Sequence, residues 1–143
     1  MAYRDLHNNV DILAVVPAVA VGTTGTGQTG NVIDTRGYDS VEFGISYGAI
    51  TATNATFTPV VMEGDVTGTL TSVADADLIG TESAAGIAAA TRTDGSTENV
   101  AKRIGYIGSK RYVSVNISST VTAGTPVAIN AILHCAHRAA VAT

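Results

Sequence analysis

In several segments of this chain, hydrophobic and polar residues alternate with a period of two. Between residues 40 and 50 the apolar positions fall at every second residue, and they are Val41, Phe43, Ile45 and Tyr47. This period is the pattern of a β-strand with one buried face. Comparable segments predict strands at residues 10–21, 31–35, 56–63, 100–107, 110–118 and 126–134. About seven strands without long helical segments predict a single-domain, all-β antiparallel sandwich or jelly-roll-like fold.

The alternating pattern is lost between residues 66 and 99, which are rich in Ala, Thr, Ser, Gly and Asp. We therefore expect a long irregular excursion there. The alanines of residues 84–90 would permit a short helix, because alanine has the best helix propensity, although Gly86 opposes one. The resulting organisation has three parts, namely an N-terminal arm at residues 1–9, a β-domain at 10–138 and a C-terminal tail at 139–143.

Two prolines and one glycine-containing turn allow more local predictions. Proline has no N–H for a β-ladder, so a break or bulge should fall near Pro17, and Pro59 should lie at a sheet edge or beside a bulge. The Gly-Ser-Lys segment at 108–110 predicts a turn between the strands at 100–107 and 110–118. We expect the last three strands to form a meander, in which strands that follow each other in sequence also pair.

Residues 22–30 are too rich in Gly and Thr to pack in a core, and we expect an exposed loop. The end of this segment, Gly-Thr-Gly-Gln-Thr-Gly, matches the G-x-G-x-x-G pattern of dinucleotide-binding proteins. That motif needs a helix after its last glycine, so that the helix N-terminus faces the pyrophosphate. The pattern of residues 31–35 predicts a strand instead of a helix. We therefore favour a flexible loop at residues 22–30 that binds no nucleotide.

The low charge of the chain favours a subunit of an assembly. Charged residues make up 14% of the 143 residues and hydrophobic residues 45%, so the surface must be neutral or covered. Short Thr, Ser, Ala and Gly side chains lose little entropy when they are ordered against a partner. The net charge of −4 argues against a nucleic-acid binder, which needs clustered cations. The basic residues that do cluster are expected at a solvated hairpin edge, and they are Lys102, Arg103, Lys110 and Arg111.

Residues that could carry chemistry are few. His134, Cys135 and His137 are potential metal ligands, but alternation along a strand allows only two side chains to converge. Two acidic pairs fall in loop-like stretches, where solvated acids are commoner than catalytic ones, and they are Asp75 with Asp77 and Glu63 with Asp65. One G-x-S-x-G match occurs, at Gly44 to Gly48, but it lies within the predicted strand at 40–50 and not at the strand-to-helix elbow that exposes a nucleophilic serine. We predict no enzyme activity, no cofactor and no metal.

The sequence also predicts no membrane segment and no disulfide. The apolar run at residues 10–21 is shorter than the roughly 20 residues of a spanning helix, and its valines favour a strand. No secretion signal is evident, because this run contains Pro17 and lacks a basic region before it. Cys135 is the single cysteine, so no intrachain disulfide can form.

Four segments of the chain resemble a known family. They are MAYRDLHNN at residues 1–9, GYDSV at 37–41, SVADADLIG at 72–80 and RIGYIGSKRYV at 103–113. Together they are similar to small virion proteins of tailed bacteriophages, of the type known as capsid decoration or cement proteins. The resemblance covers most of the chain, and its motifs are strands and turns.

The resemblance implies a non-catalytic virion protein on the outer surface of the capsid, where it would bind the major capsid protein and stabilise the shell. It also implies a homo-oligomer, with a trimer favoured, and no contact with nucleic acid or membrane. The N-terminal arm mixes apolar anchors with charges, and its candidate shell-contact residues are Tyr3, Arg4, Asp5, Leu6 and His7. A frayed terminus is the alternative interpretation of this arm. Alternative functions are a tail or head-to-tail joining component, or a host- or carbohydrate-binding β-module.

Overall fold

The computed structural model describes residues 6–21, 27–90, 97–120 and 125–134, which contain ten β-strands and one short α-helix. The strands are β1 (Val10–Val21), β2 (Ile33–Asp34), β3 (Ser40–Tyr47), β4 (Ala55–Gly64), β5 (Thr71–Ser72), β6 (Leu78–Ile79), β7 (Ile87–Ala90), β8 (Val100–Tyr106), β9 (Tyr112–Ser119) and β10 (Thr125–His134). A 3₁₀ turn (Asp75–Asp77) precedes β6, and the helix α1 (Glu82–Ala85) precedes β7.

The strands form two antiparallel sheets that pack face to face. Sheet 1 has the order β1-β10-β3-β8-β6, and sheet 2 has the order β2-β9-β4-β5, with β7 also paired to β4. Alternate side chains from both sheets fill the space between them, with Phe43, Ile104 and Ile129 from sheet 1 fully buried against residues such as Phe57 and Val115 of sheet 2. The predicted antiparallel β-sandwich is confirmed.

All seven predicted strands are present, and the excursion between residues 66 and 99 adds three more. These are β5, β6 and β7, which have only two to four residues each and are too short to show a period of two. The helix lies slightly before the predicted alanine run. Its N-cap residue Thr81 accepts a hydrogen bond from the N–H of Ala84 at 3.1 Å, and Gly86 follows its last residue.

The predicted meander is wrong, because β9 belongs to sheet 2 whereas β8 and β10 belong to sheet 1. The Gly-Ser-Lys segment at 108–110 therefore crosses from one sheet to the other and does not close a hairpin. Alternation identifies which side chains of a strand are buried, but both sheets bury their side chains in the same core. It cannot identify the neighbouring strand.

Both predictions about proline are confirmed. The pairing of the edge strand β1 with β10 shifts register between Ala14 and Val16, just before Pro17, and again between Val16 and Val19, a stretch that contains Pro17. Pro59 lies where the edge of β4 opposite β9 has no strand partner. Along that edge, β7 pairs with β4 only as far as Phe57, and pairing with β5 starts at Met62. A residue without an N–H costs no ladder hydrogen bond at such a gap.

The gap beside Pro59 is filled by a side chain of the helix. The N–H of Val61 donates to Oε1 of Glu82 at 2.7 Å, and the carbonyl of Val61 accepts from the N–H of Val73 at 2.9 Å. The carboxylate thus takes the position of a missing strand and satisfies a backbone donor at a buried residue. This contact also fixes α1 against sheet 2.

The segment at 27–30 packs against β9, so the prediction of an exposed loop is wrong for Gly27, Gln28 and Gly30, although Thr29 is exposed. Residues 22–26 lie outside the described part. Gln28 forms a two-way backbone bridge with Ile117, at 2.6 and 2.8 Å. The N–H of Asn31 then donates to the carbonyl of Val15 in β1 at 2.7 Å. The segment joins an edge of sheet 2 to an edge of sheet 1, and Gly30 is buried there. No helix follows Gly30, which excludes the dinucleotide-binding geometry.

Candidate interaction surfaces

The predicted N-terminal arm is described only in its last residues. Three of its candidate contact residues lie outside the described part, and they are Tyr3, Arg4 and Asp5. Leu6 is 67% exposed, and His7 beside it is also exposed. The N–H of Asn9 donates to the carbonyl of Leu6 at 3.1 Å, so a turn leads directly into β1. The structure brings Leu6 and His7 together at the start of β1, and their contact with a shell stays a prediction.

The side of sheet 1 that faces away from sheet 2, here called the outer face of sheet 1, carries exposed isoleucines at both of its edges. Strand register places five residues straight across it from β1 to β6, and they are Ile12, Ile132, Glu42, Gly105 and Ile79. Ile12 is 64% exposed and Ile79 is 59% exposed. Ile107, which alternation places on the same side as Gly105, is 58% exposed.

The neighbouring rows on this face are made mostly of small side chains. One row is Ala14, Asn130, Gly44 and Arg103, and another is Ala128, Ser46 and Ala101. The ionised side chains within the three rows are Glu42 and Arg103, whose carboxylate and guanidinium lie 3.7 Å apart. The pair is exposed to solvent, so its contribution to stability is small. Apart from this ion pair, the three rows consist of small or uncharged side chains and carry no net charge.

The outer face of sheet 2 has a different character. Its central positions alternate between short polar and apolar side chains, and they are Thr58, Val60, Met62, Asn116 and Ser118. All five are half-buried, and none carries a charge. This face lacks the exposed isoleucines of sheet 1 and presents less apolar surface to a partner.

The basic residues near the predicted hairpin are paired within the fold. Lys110 Nζ lies 2.6 Å from the Asp65 carboxylate, and this hydrogen bond raises the pKa of Lys110. Arg111 contacts both carboxylate oxygens of Asp34, with Nη2 to Oδ2 at 2.7 Å, and its guanidinium lies 4.7 Å from the ring centre of Tyr112. The hydrogen bond from Arg111 lowers the pKa of Asp34.

Lys102 has a structural role that its exposed sequence neighbours do not suggest. Its position in β8 pairs with Ile45, whose side chain is in the core, so the lysine stem points towards the sandwich interior. The ammonium group donates to the carbonyl of Ala84 at 3.1 Å and also to that of Gly86. A cation at these carbonyls compensates the partial negative charge at the end of α1. With Arg103 beside Glu42, each of the four clustered basic residues has a partner.

The acidic residue Glu63 links the two sheets. The hydroxyl of Tyr106, on β8 of sheet 1, donates to Oε2 of Glu63, on β4 of sheet 2, at 2.5 Å. The same hydroxyl accepts the N–H of Lys110 at 3.0 Å. Burial, and then the hydrogen bond to Glu63, raise the pKa of Tyr106, so the phenol stays protonated. Glu63 therefore serves the packing of the sheets.

The structure gives no support to a metal site among the residues that it describes. Within them, no group of three or more His, Cys, Asp or Glu side chains could hold an ion. Asp75 and Asp77 lie in the 3₁₀ turn, and neither is buried. His134 is exposed at the end of β10, while Cys135 and His137 lie outside the described residues.

An open groove of about 350 Å³ lies between α1, β7 and β4. Its polar lining includes Thr56, Ser83 and Glu82. Glu82 already accepts the N–H of Val61, and the hydroxyl of Thr56 accepts the N–H of Ala89 at 3.1 Å. The groove is thus formed by groups that hold β7 and α1 in place, and nothing in it indicates a ligand.

Sequence reasoning did not single out the exposed isoleucines of sheet 1. A signal was present in the RIGYI segment at residues 103–107, where Ile104 and Tyr106 alternate with Gly105 and Ile107. Because Ile104 and Tyr106 point into the core, alternation along the strand places Ile107 on the outer face. Ile79 gave no such signal, since β6 is only two residues long.

The sequence matches no protein-family model, and a comparison with curated proteins gives no match. Among the described residues, no helix combines the length and the hydropathy that crossing a membrane requires.

Proposed function

We propose that this chain is a capsid decoration protein, a structural virion component that binds the outer surface of a tailed-phage capsid and stabilises the shell without catalysis. The observation that carries the proposal is the resemblance of four segments to proteins of that type, and these segments lie at residues 1–9, 37–41, 72–80 and 103–113. The partner would be the major capsid protein of the same phage. Several copies, favoured as trimers, would sit at equivalent places on the shell.

The way in which side chains are used in the fold supports a role without chemistry. Asp34, Glu63 and Glu82 are engaged with Arg111, Tyr106 and the N–H of Val61, respectively. Each of these contacts joins different parts of the sandwich. A rigid domain of this kind can hold a binding surface in a fixed shape, which lowers the entropy cost of attachment.

The N-terminal arm is the proposed shell contact. Leu6 presents 67% of its surface to solvent, and His7 lies next to it at the edge of sheet 1. An apolar anchor that is exposed in the free protein gains free energy when a partner buries it. Tyr3, Arg4 and Asp5 would extend the contact with one aromatic ring and two charges of opposite sign.

Stabilisation of the shell would follow from mass action. A protein that binds the assembled shell, and not its separated subunits, shifts the equilibrium towards the assembled state. Packed DNA pushes outward on the seams between subunits, and copies bound across those seams would oppose their opening. Binding alone is enough for this effect.

The number of copies per purified virion tests the proposal. We expect quantitative mass spectrometry, calibrated on the major capsid protein, to find this chain in numbers comparable to that protein. A handful of copies per virion would indicate a tail or head-to-tail joining component. Absence from the particles would contradict any virion role and would favour a separate β-module.

A further inference from the structure

We propose that the outer face of sheet 1 is a contact surface between two copies of this chain. Ile12 and Ile79 mark the two edges of this face and are each more than half exposed. Single exposed apolar residues are ordinary, whereas a sheet face made mostly of apolar and small side chains, with its one ion pair internally matched, can serve as an interaction site. The inference concerns contact between copies, and it does not depend on attachment to a capsid.

Charge favours a second copy as the occupant of this face. The chain carries a net charge of −4, so two copies repel each other in most orientations. Within the three rows of the face, the opposite charges of Glu42 and Arg103 cancel. A strongly charged partner would find no complementary charge there. A second copy can approach through this face without burying an unpaired charge, which would be costly.

The size of the face is sufficient for a specific contact. The five strands of the face have two to twelve residues each, at about 3.3 Å per residue and about 4.8 Å between strands, and together cover up to roughly 600 Å². Two such surfaces would bury roughly 1,200 Å² in total, which is the lower end of the range for specific interfaces. We therefore expect reversible, concentration-dependent association.

Contact through the face is favoured over addition of a strand at the edge. On the free side of β1, the carbonyls of Ala14 and Val15 already accept hydrogen bonds from the side chain and backbone of Asn31, at 3.3 and 2.7 Å. Pro17 and the register shifts around it interrupt the same edge. An occupied and irregular edge is a poor template for pairing with another chain.

Sedimentation of the full chain across a range of concentrations tests this inference. The wild type should pass from 14.5 kDa to a multiple of that mass as concentration rises. Ile12→Asp and Ile79→Asp, at opposite ends of the face, should each weaken association more than about tenfold by burying a charge in the contact. The matched control is Val66→Asp, because Val66 is 61% exposed in a turn outside the face and the substitution changes charge equally.

The outcomes separate contact through this face from general charge repulsion between copies. Weakening by the two isoleucine variants, with the control unchanged and all thermal midpoints alike, would support the inference. A wild type that stays at 14.5 kDa at every concentration would overturn it. Equal effects of all three variants would also overturn it, since charge repulsion alone would then account for the weakening.

Discussion

At the scale of single residues, Glu82 shows how a side chain can complete a sheet. β4 has no strand partner beside Pro59, and the N–H of Val61 would be left without an acceptor inside the fold. The Glu82 carboxylate accepts it at 2.7 Å from the first turn of α1. A buried backbone donor without an acceptor costs about 1–3 kcal/mol, so this single contact matters for stability.

Glu82→Ala should therefore lower the free energy of unfolding by about 2 kcal/mol, because it removes the acceptor. Glu82→Gln keeps an oxygen at the same position and should cost less than half as much. The measurement is denaturant unfolding of both variants. Ser83→Ala is the control, since Ser83 is an exposed neighbour in the same helix, and it should stay close to the wild type. Equal losses for the Ala and Gln variants would show that the hydrogen bond is not the cause.

The roles of individual polar residues could be predicted only in part. Pro17 and Pro59 lack a backbone N–H, and this property alone was enough to predict an irregularity or an unpaired edge at each of them. Nothing comparable in the sequence predicts the partners of Glu63 and Lys102. Their partners, Tyr106 and the carbonyls after Ala84, come from distant segments that only the packing of two sheets brings together.

At the scale of elements, the long strands were predictable because their buried faces repeat. The interior residues of β3 and β10 alternate strictly, from Val41 to Tyr47 and from Thr125 to Leu133. Short elements gave no repeat to detect, and residues 27–30 were misjudged because glycine suggests exposure. Here glycine instead permits close approach to another strand, which composition alone does not reveal.

Gly30→Ala should lower the free energy of unfolding by about 3 kcal/mol or more, since an added methyl group would overlap packed backbone. Its Cβ would lie 2.2 Å from the carbonyl oxygen of Val115, where the segment passes along β9. Gly68→Ala is the matched control, because a Cβ there meets nothing within 4 Å. Urea unfolding midpoints of the two variants make the comparison. Equal midpoints would mean that residues 27–30 do not pack against β9 as described.

At the scale of the whole molecule, the sequence determined the class of fold but not the order of its strands. Apolar alternation without helical segments leads to two packed sheets, because each half-buried strand needs a second layer. The assignment of β8 and β9 to different sheets depends on which neighbours each strand finds. That choice involves contacts such as the Tyr106–Glu63 hydrogen bond, which joins the two layers.

The proposed shell contact is likewise a property of the whole molecule, since it requires an arm that binds while the sandwich stays folded. The described end of the arm supports that division. Leu6 is largely exposed, and among the described residues the buried core begins at Val15. We therefore expect removal of the arm to leave the core covered. Binding to the shell and stability of the fold should be separable by truncation.

Deleting residues 2–9 should abolish binding to shells that lack this chain, with at least about a hundredfold loss of affinity. The deletion removes all the candidate apolar and charged contact residues at once. Its thermal midpoint should stay near that of the full chain, since the described residues of the arm, 6–9, contribute no core side chain. The control is deletion of residues 139–143, a truncation at the other terminus that leaves every candidate contact residue in place and should bind normally. Co-sedimentation with shells measures binding, and circular dichroism measures the midpoint. Undiminished binding by the chain without its arm would contradict the arm as the shell contact and would move that contact to another surface.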